Sequence, residues 1–177
     1  MEFKQLLNNT VSNLFLIVWP PWGEEKESDI DISFGFVFKD ERSKLYVIGV
    51  NKDELWAPHI FHQSLPENIY GWEDFHNRMN LWMNSGEDTD LIMNTEYYNV
   101  SQWDLFDKIV ESEIIRIELI WIEGYDEPFG VKIHFKNDYI ISTPISDGNT
   151  VETSRFNQNA NIELFEKLGK IEYKTIE

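Results

Sequence analysis

The chain has 177 residues and a net charge of −17, from 32 acidic against 15 basic side chains, yet 42% of it is apolar, with seven Trp, seven Tyr and twelve Phe. That apolar content suffices for one core at a length where roughly 70% of the extended-chain surface is buried, which excludes a disordered acidic tail. The absence of cysteine excludes disulfides, thiolate zinc sites and cysteine nucleophiles, and the charge opposes nucleic acid and anionic membranes through phosphate repulsion. No repeat or Gly/Ser linker divides the sequence, so a single domain over 1–177 is expected.

Residues 2–10 read as a short helix with Phe3, Leu6, Leu7 and Thr10 on one side, and residues 14–19 as a buried strand that Pro20 and Pro21 stop. That apolar run is far shorter than the ~20 residues of a membrane span, and Met1-Glu2-Phe3-Lys4 has no basic leader, so a cytoplasmic location is expected. Residues 24–29 are a solvated acidic loop. From Ile30 the period is two, with Ile30, Ile32, Phe34, Phe36 and Phe38 on one face. A charged turn over 39–44 and a return strand over 45–51 complete a hairpin.

Between Pro58 and Gly86 the spacing of Trp72, Phe75, Met79, Trp82 and Met83 is helical. A second helix is predicted to start at Ser101 as a cap, with Asp104 three residues on, and to carry Phe106, Ile109 and Val110. Residues 114–122 then alternate, with Ile115, Ile117, Leu119 and Trp121 on one face and Arg116 and Glu118 on the other. Val131, Ile133 and Phe135 alternate with Lys132, His134 and Lys136, and a two-residue turn at Asn137-Asp138 leads into a strand over 139–143. Asn161 is placed to cap a helix carrying Ile162, Phe165 and Leu168, and residues 170–176 form an edge strand. These elements predict an α+β fold: a curved antiparallel sheet of five or more strands with two or three helices packed on one face.

Chemistry-bearing motifs are few. His59 and His62, followed by Glu73, Asp74 and His76, have a spacing that a helix would turn into a metal site, but Pro58 and Pro66 oppose that helix and no H-E-x-x-H occurs. His134, between two lysines, reads as a surface strand residue. No nucleophile elbow, S-x-x-K or phosphate-cradling glycine loop is present, and adjacent pairs such as Glu73-Asp74 or Asp126-Glu127 are expected by number alone among 32 carboxylates. Asp147-Gly148-Asn149-Thr150 reads as a polar turn. No enzyme activity, metal or cofactor is expected.

Residues 67–127 hold 15 acids against 3 bases, a net −12 of the −17, together with Trp72, Trp82, Tyr97, Tyr98, Trp103, Trp121 and Tyr125. Acids steer encounter and aromatics supply desolvated contact area, so this segment has the ingredients of a protein interface for a basic partner. Glu87, Asp88, Asp90, Tyr97, Tyr98, Trp103, Asp104 and Asp107 are its predicted contact residues. A second choice is the loop of Trp22, Glu24, Glu25, Glu27 and Asp29.

The C-terminal runs Gly130-Val131-Lys132-Ile133-His134-Phe135-Lys136-Asn137-Asp138-Tyr139, Ser142-Thr143-Pro144-Ile145-Ser146-Asp147-Gly148-Asn149-Thr150-Val151-Glu152-Thr153 and Asn161-Ile162-Glu163-Leu164-Phe165-Glu166-Lys167-Leu168-Gly169 resemble those of small bacterial immunity proteins. The resemblance spans the last third of the chain. It implies a compact acidic binder that neutralises a polymorphic or contact-dependent toxin, typically a basic nuclease, and acts as a monomer or weak homodimer. Two other classes explain the same composition: an enzyme with a carboxylate/histidine site, and a structural or adaptor domain of a homo-oligomer. The enzyme would show convergent polar groups in a pocket, and the adaptor an exposed apolar patch.

Overall fold

A computed structural model of the chain describes residues 2–19, 31–50, 57–84, 95–145, 148–158 and 161–176. After a 3-10 turn at Phe3–Leu6, three strands form a meander: β1 (Val11–Trp19), β2 (Asp31–Phe38) and β3 (Lys44–Val50). The chain continues through β4 (Pro58–Ser64), the short β5 (Tyr70–Gly71), α1 (Phe75–Asn84) and β6 (Glu96–Asn99). These six strands make one sheet in the order β4-β3-β2-β1-β6-β5, antiparallel except for the β5–β6 pair.

A second meander follows, of β7 (Ile114–Ile122), β8 (Gly130–Phe135) and β9 (Tyr139–Ser142). A small ribbon of β10 (Pro144–Ile145) and β11 (Gly148–Asn149) leads on to α2 (Ile162–Phe165) and β12 (Ile171–Thr175). The last strand pairs at the edge, giving the order β12-β7-β8-β9. The chain is thus mostly sheet with a few short helices.

The two sheets pack face to face. Leu14 and Leu16 of β1, Phe34, Phe36 and Phe38 of β2, and Ile48 of β3 share one buried cluster with Ile117 of β7, Val131, Ile133 and Phe135 of β8, and Ile140 of β9. Phe36 meets Phe135 edge-on at 5.9 Å between centroids and Phe34 at 5.5 Å. Alternation puts these residues on one side of each strand, and each sheet hides its apolar side against the other. At one corner the sheets are joined by backbone bonds: the Asn8 amide donates to Ile114 O (2.9 Å), the Ile114 amide to Asn9 O (3.0 Å) and the Val11 amide to Ser112 O (3.0 Å).

This arrangement corrects the expectation of helices covering one face of a single sheet. The partner of the apolar face is a second sheet, and the two helices serve different places. Met79 of α1 packs with Val18 and Tyr98 beside the inner face. Ile162 and Phe165 of α2 instead cover Ile120, Ile122 and Ile141 on the outer face of the four-stranded sheet. Helical spacing from Pro58 onward holds only from Phe75, because the segment before it pairs with β3 as a strand.

Other expectations change for local reasons. Residues 101–110 contain a 3-10 turn at Asp104–Phe106, and the Ser101 hydroxyl accepts from the Leu14 amide (3.0 Å) instead of capping a helix. A register shift at the start of β7 turns Ile115 to solvent while Ile117 stays buried. Trp121 is half-buried beneath the Lys174 ammonium (3.9 Å). The β8–β9 hairpin closes with the Phe135 amide donating to Asp138 O (2.8 Å), so its loop is Lys136-Asn137. Asn161 makes no cap bond to α2, and its side chain donates to Thr143 Oγ1 and Pro144 O. Because α2 ends at Phe165, Leu168 leaves its apolar face and is exposed. Gly148 lies in β11, not in a turn, and a Cβ there would come within 2.7 Å of the Ile32 backbone. That close approach lets the buried Asn149 amide donate to Ile48 O (3.2 Å) and stitch the ribbon to the larger sheet.

Phe36→Ala should cost about 3–5 kcal/mol in urea denaturation, because it opens a cavity between the sheets. Trp121→Ala should cost only about 1–2 kcal/mol, as expected of a residue that solvent partly covers already. The reverse order would contradict the packing described.

Candidate functional site

Of the predicted interface residues, Glu87, Asp88, Asp90, Trp22, Glu24, Glu25, Glu27 and Asp29 lie outside the described residues. Tyr97 and Tyr98 are neighbours on β6 and so point to opposite faces. Tyr98 is completely buried on the inner face, which removes it as a surface anchor. Its hydroxyl donates to the Glu96 carboxylate, and burial, followed by that carboxylate, holds the phenol far above its ordinary range. Arg78 of α1 donates from Nε to both Glu96 oxygens (2.9 and 2.8 Å), with its guanidinium 3.8 Å above the Tyr70 ring. This ion pair binds α1 to the sheet, so the aromatics around it are structural.

Trp103 belongs to the same aromatic stack. It lies 4.9 Å from Trp72 in a parallel arrangement and meets Phe106 and Phe156 edge-on. Tyr97 lies on the outer face, half-buried, and its hydroxyl accepts from Gln63 (2.8 Å). Asp104 and Asp107 are exposed as expected, but Arg155 donates to the Asp107 carboxylate and to the Asp104 carbonyl. The structure therefore does not gather these five residues into one open surface. His59 and His62 alternate along β4, opposite Gly49 and Tyr46, and no cluster of three metal-ligating side chains occurs among the described residues.

Two surfaces do converge. The first is at the end of the sandwich where β7 turns into β8. Gly124 takes a φ of +89°, which lets the Tyr125 amide close the turn on Ile122 O (3.1 Å). The Glu123 amide donates to Lys170 O (2.8 Å), and Phe129 stacks on Phe165 at 4.3 Å, so the turn is held against α2. The turn carries exposed Tyr125 (58%), Glu123, Asp126 and Glu127, and the segment docked on it carries exposed Leu164 (54%), Leu168 (57%), Glu163 and Glu166. No salt bridge within 4 Å reaches any of these five acids among the described residues, and Lys170 is bonded to Glu172. Acid and aromatic are thus assembled, but at the 123–127 turn and α2. In the sequence its acids are divided between residues 123–127 and 163–166, so no local pattern marks it.

The second surface is the open half of the outer face of the four-stranded sheet. Register places Arg116 opposite His134 and Glu118 opposite Lys132. His134 Nε2 lies 2.5 Å from Glu118 Oε2, and Arg116 Nη2 lies 3.2 Å from that nitrogen. One ring nitrogen cannot donate to a carboxylate and accept from a guanidinium at once. We assign Nε2–H to Glu118, which leaves Nδ1 as the neutral nitrogen near Arg116 (3.5 Å). Burial lowers the His134 pKa, the Glu118 contact opposes this, and Arg116 and Lys132 add to the lowering. Burial also lowers Lys132, whose ammonium rests near the Tyr139 (4.6 Å) and Tyr173 (5.6 Å) rings. His134 is therefore one corner of a charge quartet that its sequence neighbours did not reveal.

No family model matches the chain, and neither a curated protein nor a solved structure does. No helix among the described residues is long and apolar enough to cross a membrane.

The quartet has a pH signature. A histidine whose folded pKa lies below its unfolded value of about 6.5 stabilises the fold above that value and loses this contribution as pH falls through the folded pKa. Urea titrations on either side of neutrality should show the wild type losing stability on acidification by an increment that His134→Gln lacks. Equal losses in the two proteins would show that His134 is not depressed.

Proposed function

We propose that the chain is a binding protein that neutralises a basic protein partner through the end formed by the 123–127 turn and α2. The observation that carries this reading is the group of five exposed acids without salt bridges around Tyr125, Leu164 and Leu168. Carboxylates without a salt bridge leave a net negative field for steering a cationic partner, although Lys170 offsets part of that of Glu123, and the apolar side chains among them offer area to desolvate once it arrives. The net charge of −17 extends the field well beyond the patch. A toxin domain of the basic nuclease type, the partner that the resemblance to immunity proteins implies, has the complementary charge. Its phosphate-binding cations would be occupied by carboxylates.

The test begins with the neighbouring genes: a basic toxin domain encoded there is expected, and it is co-expressed with this chain and scored by growth and by association kinetics. Wild type should protect. Changing Asp126, Glu127 and Glu163 to Lys together should slow association by about tenfold or more at low salt, with the difference shrinking at physiological ionic strength, where the Debye length is about 8 Å. Tyr125→Ala should act mainly on dissociation and cost about 2 kcal/mol. If a variant carrying all four changes protects and binds as wild type does, the reading of this surface is wrong.

A further inference from the structure

The outer face of the six-stranded sheet carries a cleft of about 360 Å³ that the reading above leaves unused. It opens where β1 is irregular, at the register shift between Val11 and Asn13. Phe15 and Val37, both buried, supply its apolar floor, and Leu65 and Ile69 line it further. Bulges interrupt a ladder and re-aim side chains, and here the interruption brings Ser12 and Asn13 to the cleft beside Asn99.

The polar groups differ in how far the protein itself satisfies them. Ser12 Oγ donates to Val37 O (3.0 Å), and Asn13 Nδ2 lies 3.4 Å from Ser101 Oγ. Glu111 is held at a left-handed φ of 63° and is paired with Lys39, so its charge is compensated. Asn99 Oδ1 accepts from the Ser101 amide (3.0 Å), while its Nδ2 has no partner among the described residues. Arg42, which is exposed, makes no ion pair or hydrogen bond among them. The other three arginines, Arg78, Arg116 and Arg155, each pair with a carboxylate. What remains open in the cleft is one unpaired cation and one amide donor above an apolar floor. Both are donors, so the head group they fit is an acceptor with negative charge.

We propose that this cleft is a binding site for a small amphipathic carboxylate, its apolar body on Phe15 and Val37 and its carboxylate on Arg42 and the Asn99 amide. The volume falls within the range of about 300–1,000 Å³ usual for small-ligand sites. A cationic or neutral analogue of the same shape meets the same floor but leaves Arg42 unpaired, so discrimination rests on the head group.

Phenylacetate, 2-phenylethanol and 2-phenylethylamine serve as probes of one shape and three charges, with acetate as the head group alone. Titrated into isotope-labelled protein and followed by amide and side-chain NMR shifts, phenylacetate should bind saturably. The Asn99 side-chain amide and the Arg42 Nε–H should move together with the Phe15 and Val37 amides. Its affinity should exceed that of the alcohol and the amine by about tenfold, equivalent to ~1.4 kcal/mol. Acetate should be weaker still. Arg42→Gln should bring phenylacetate down to the level of the alcohol, and Ile69→Asp, at a partly exposed position, should abolish the preference by placing a second carboxylate in the cleft. Equal affinity of acid and alcohol, an acid preference that survives Arg42→Gln, or shifts that map away from these residues would each overturn the assignment. Because Arg42 and Ile69 lie outside the 123–127 turn and α2, both variants should still bind the basic partner, which separates this test from that of the proposed function.

Discussion

The contact between Phe36 and Phe135 is the constraint from which the rest of the molecule follows. It is an edge-on aromatic meeting at the centre of a cluster to which both sheets contribute, and neither sheet has another way to remove its apolar side from water. Once the inner faces are committed to one another, whatever the protein does must be done on the outer faces, the ends or the edges. All three surfaces singled out above lie there.

The two outer faces are built differently. The six-stranded sheet has a second apolar layer of Phe15, Ile17, Val37, Leu45 and Val47, so its central strands are buried on both sides. The four-stranded sheet divides its outer face in two. Ile120, Ile122 and Ile141 are closed over by α2, whereas Arg116, Glu118, Lys132 and His134 pair across the strands. A chain so acidic thus keeps one patch in which two cations face a single carboxylate, because Arg116, Glu118, Lys132 and the neutral His134 are held by cross-strand pairing. The surplus of acid is displaced to turns and ends, where water screens self-repulsion.

The half-buried Arg78–Glu96 pair illustrates why acidity and aromatic content along the chain were a poor guide to surface. Residues 67–127 are both acidic and aromatic, but Tyr98, Trp72 and Trp103 are spent on anchoring α1 and the loop after β6, and Glu96 is spent on Arg78. A charged residue on a short strand next to two tyrosines looks the same in sequence whether it faces water or a guanidinium. The tertiary partner decides, because a buried carboxylate persists only where its charge is met.

By itself the sequence determined the period-two faces of β2 and β8, the β2–β3 hairpin, the consecutive strands β7 to β9, the edge position of β12 and the sign of the surface, since each depends on residues adjacent in the chain or on composition alone. It did not determine what lies across those faces. Alternation states that Phe34, Phe36 and Phe38 share a side but not whether a helix or a sheet covers it, and one bulge at Ile115 shifts which isoleucines of β7 are buried. Residues 58–64 carry no clear alternation, so their strand state comes from pairing with β3. The same holds for the Glu118–His134 contact, the 123–127 turn against α2 and the cleft between Arg42, Phe15 and Asn99. Each joins residues from 16 to over 80 positions apart, and only closure of the chain around its common core brings them within reach.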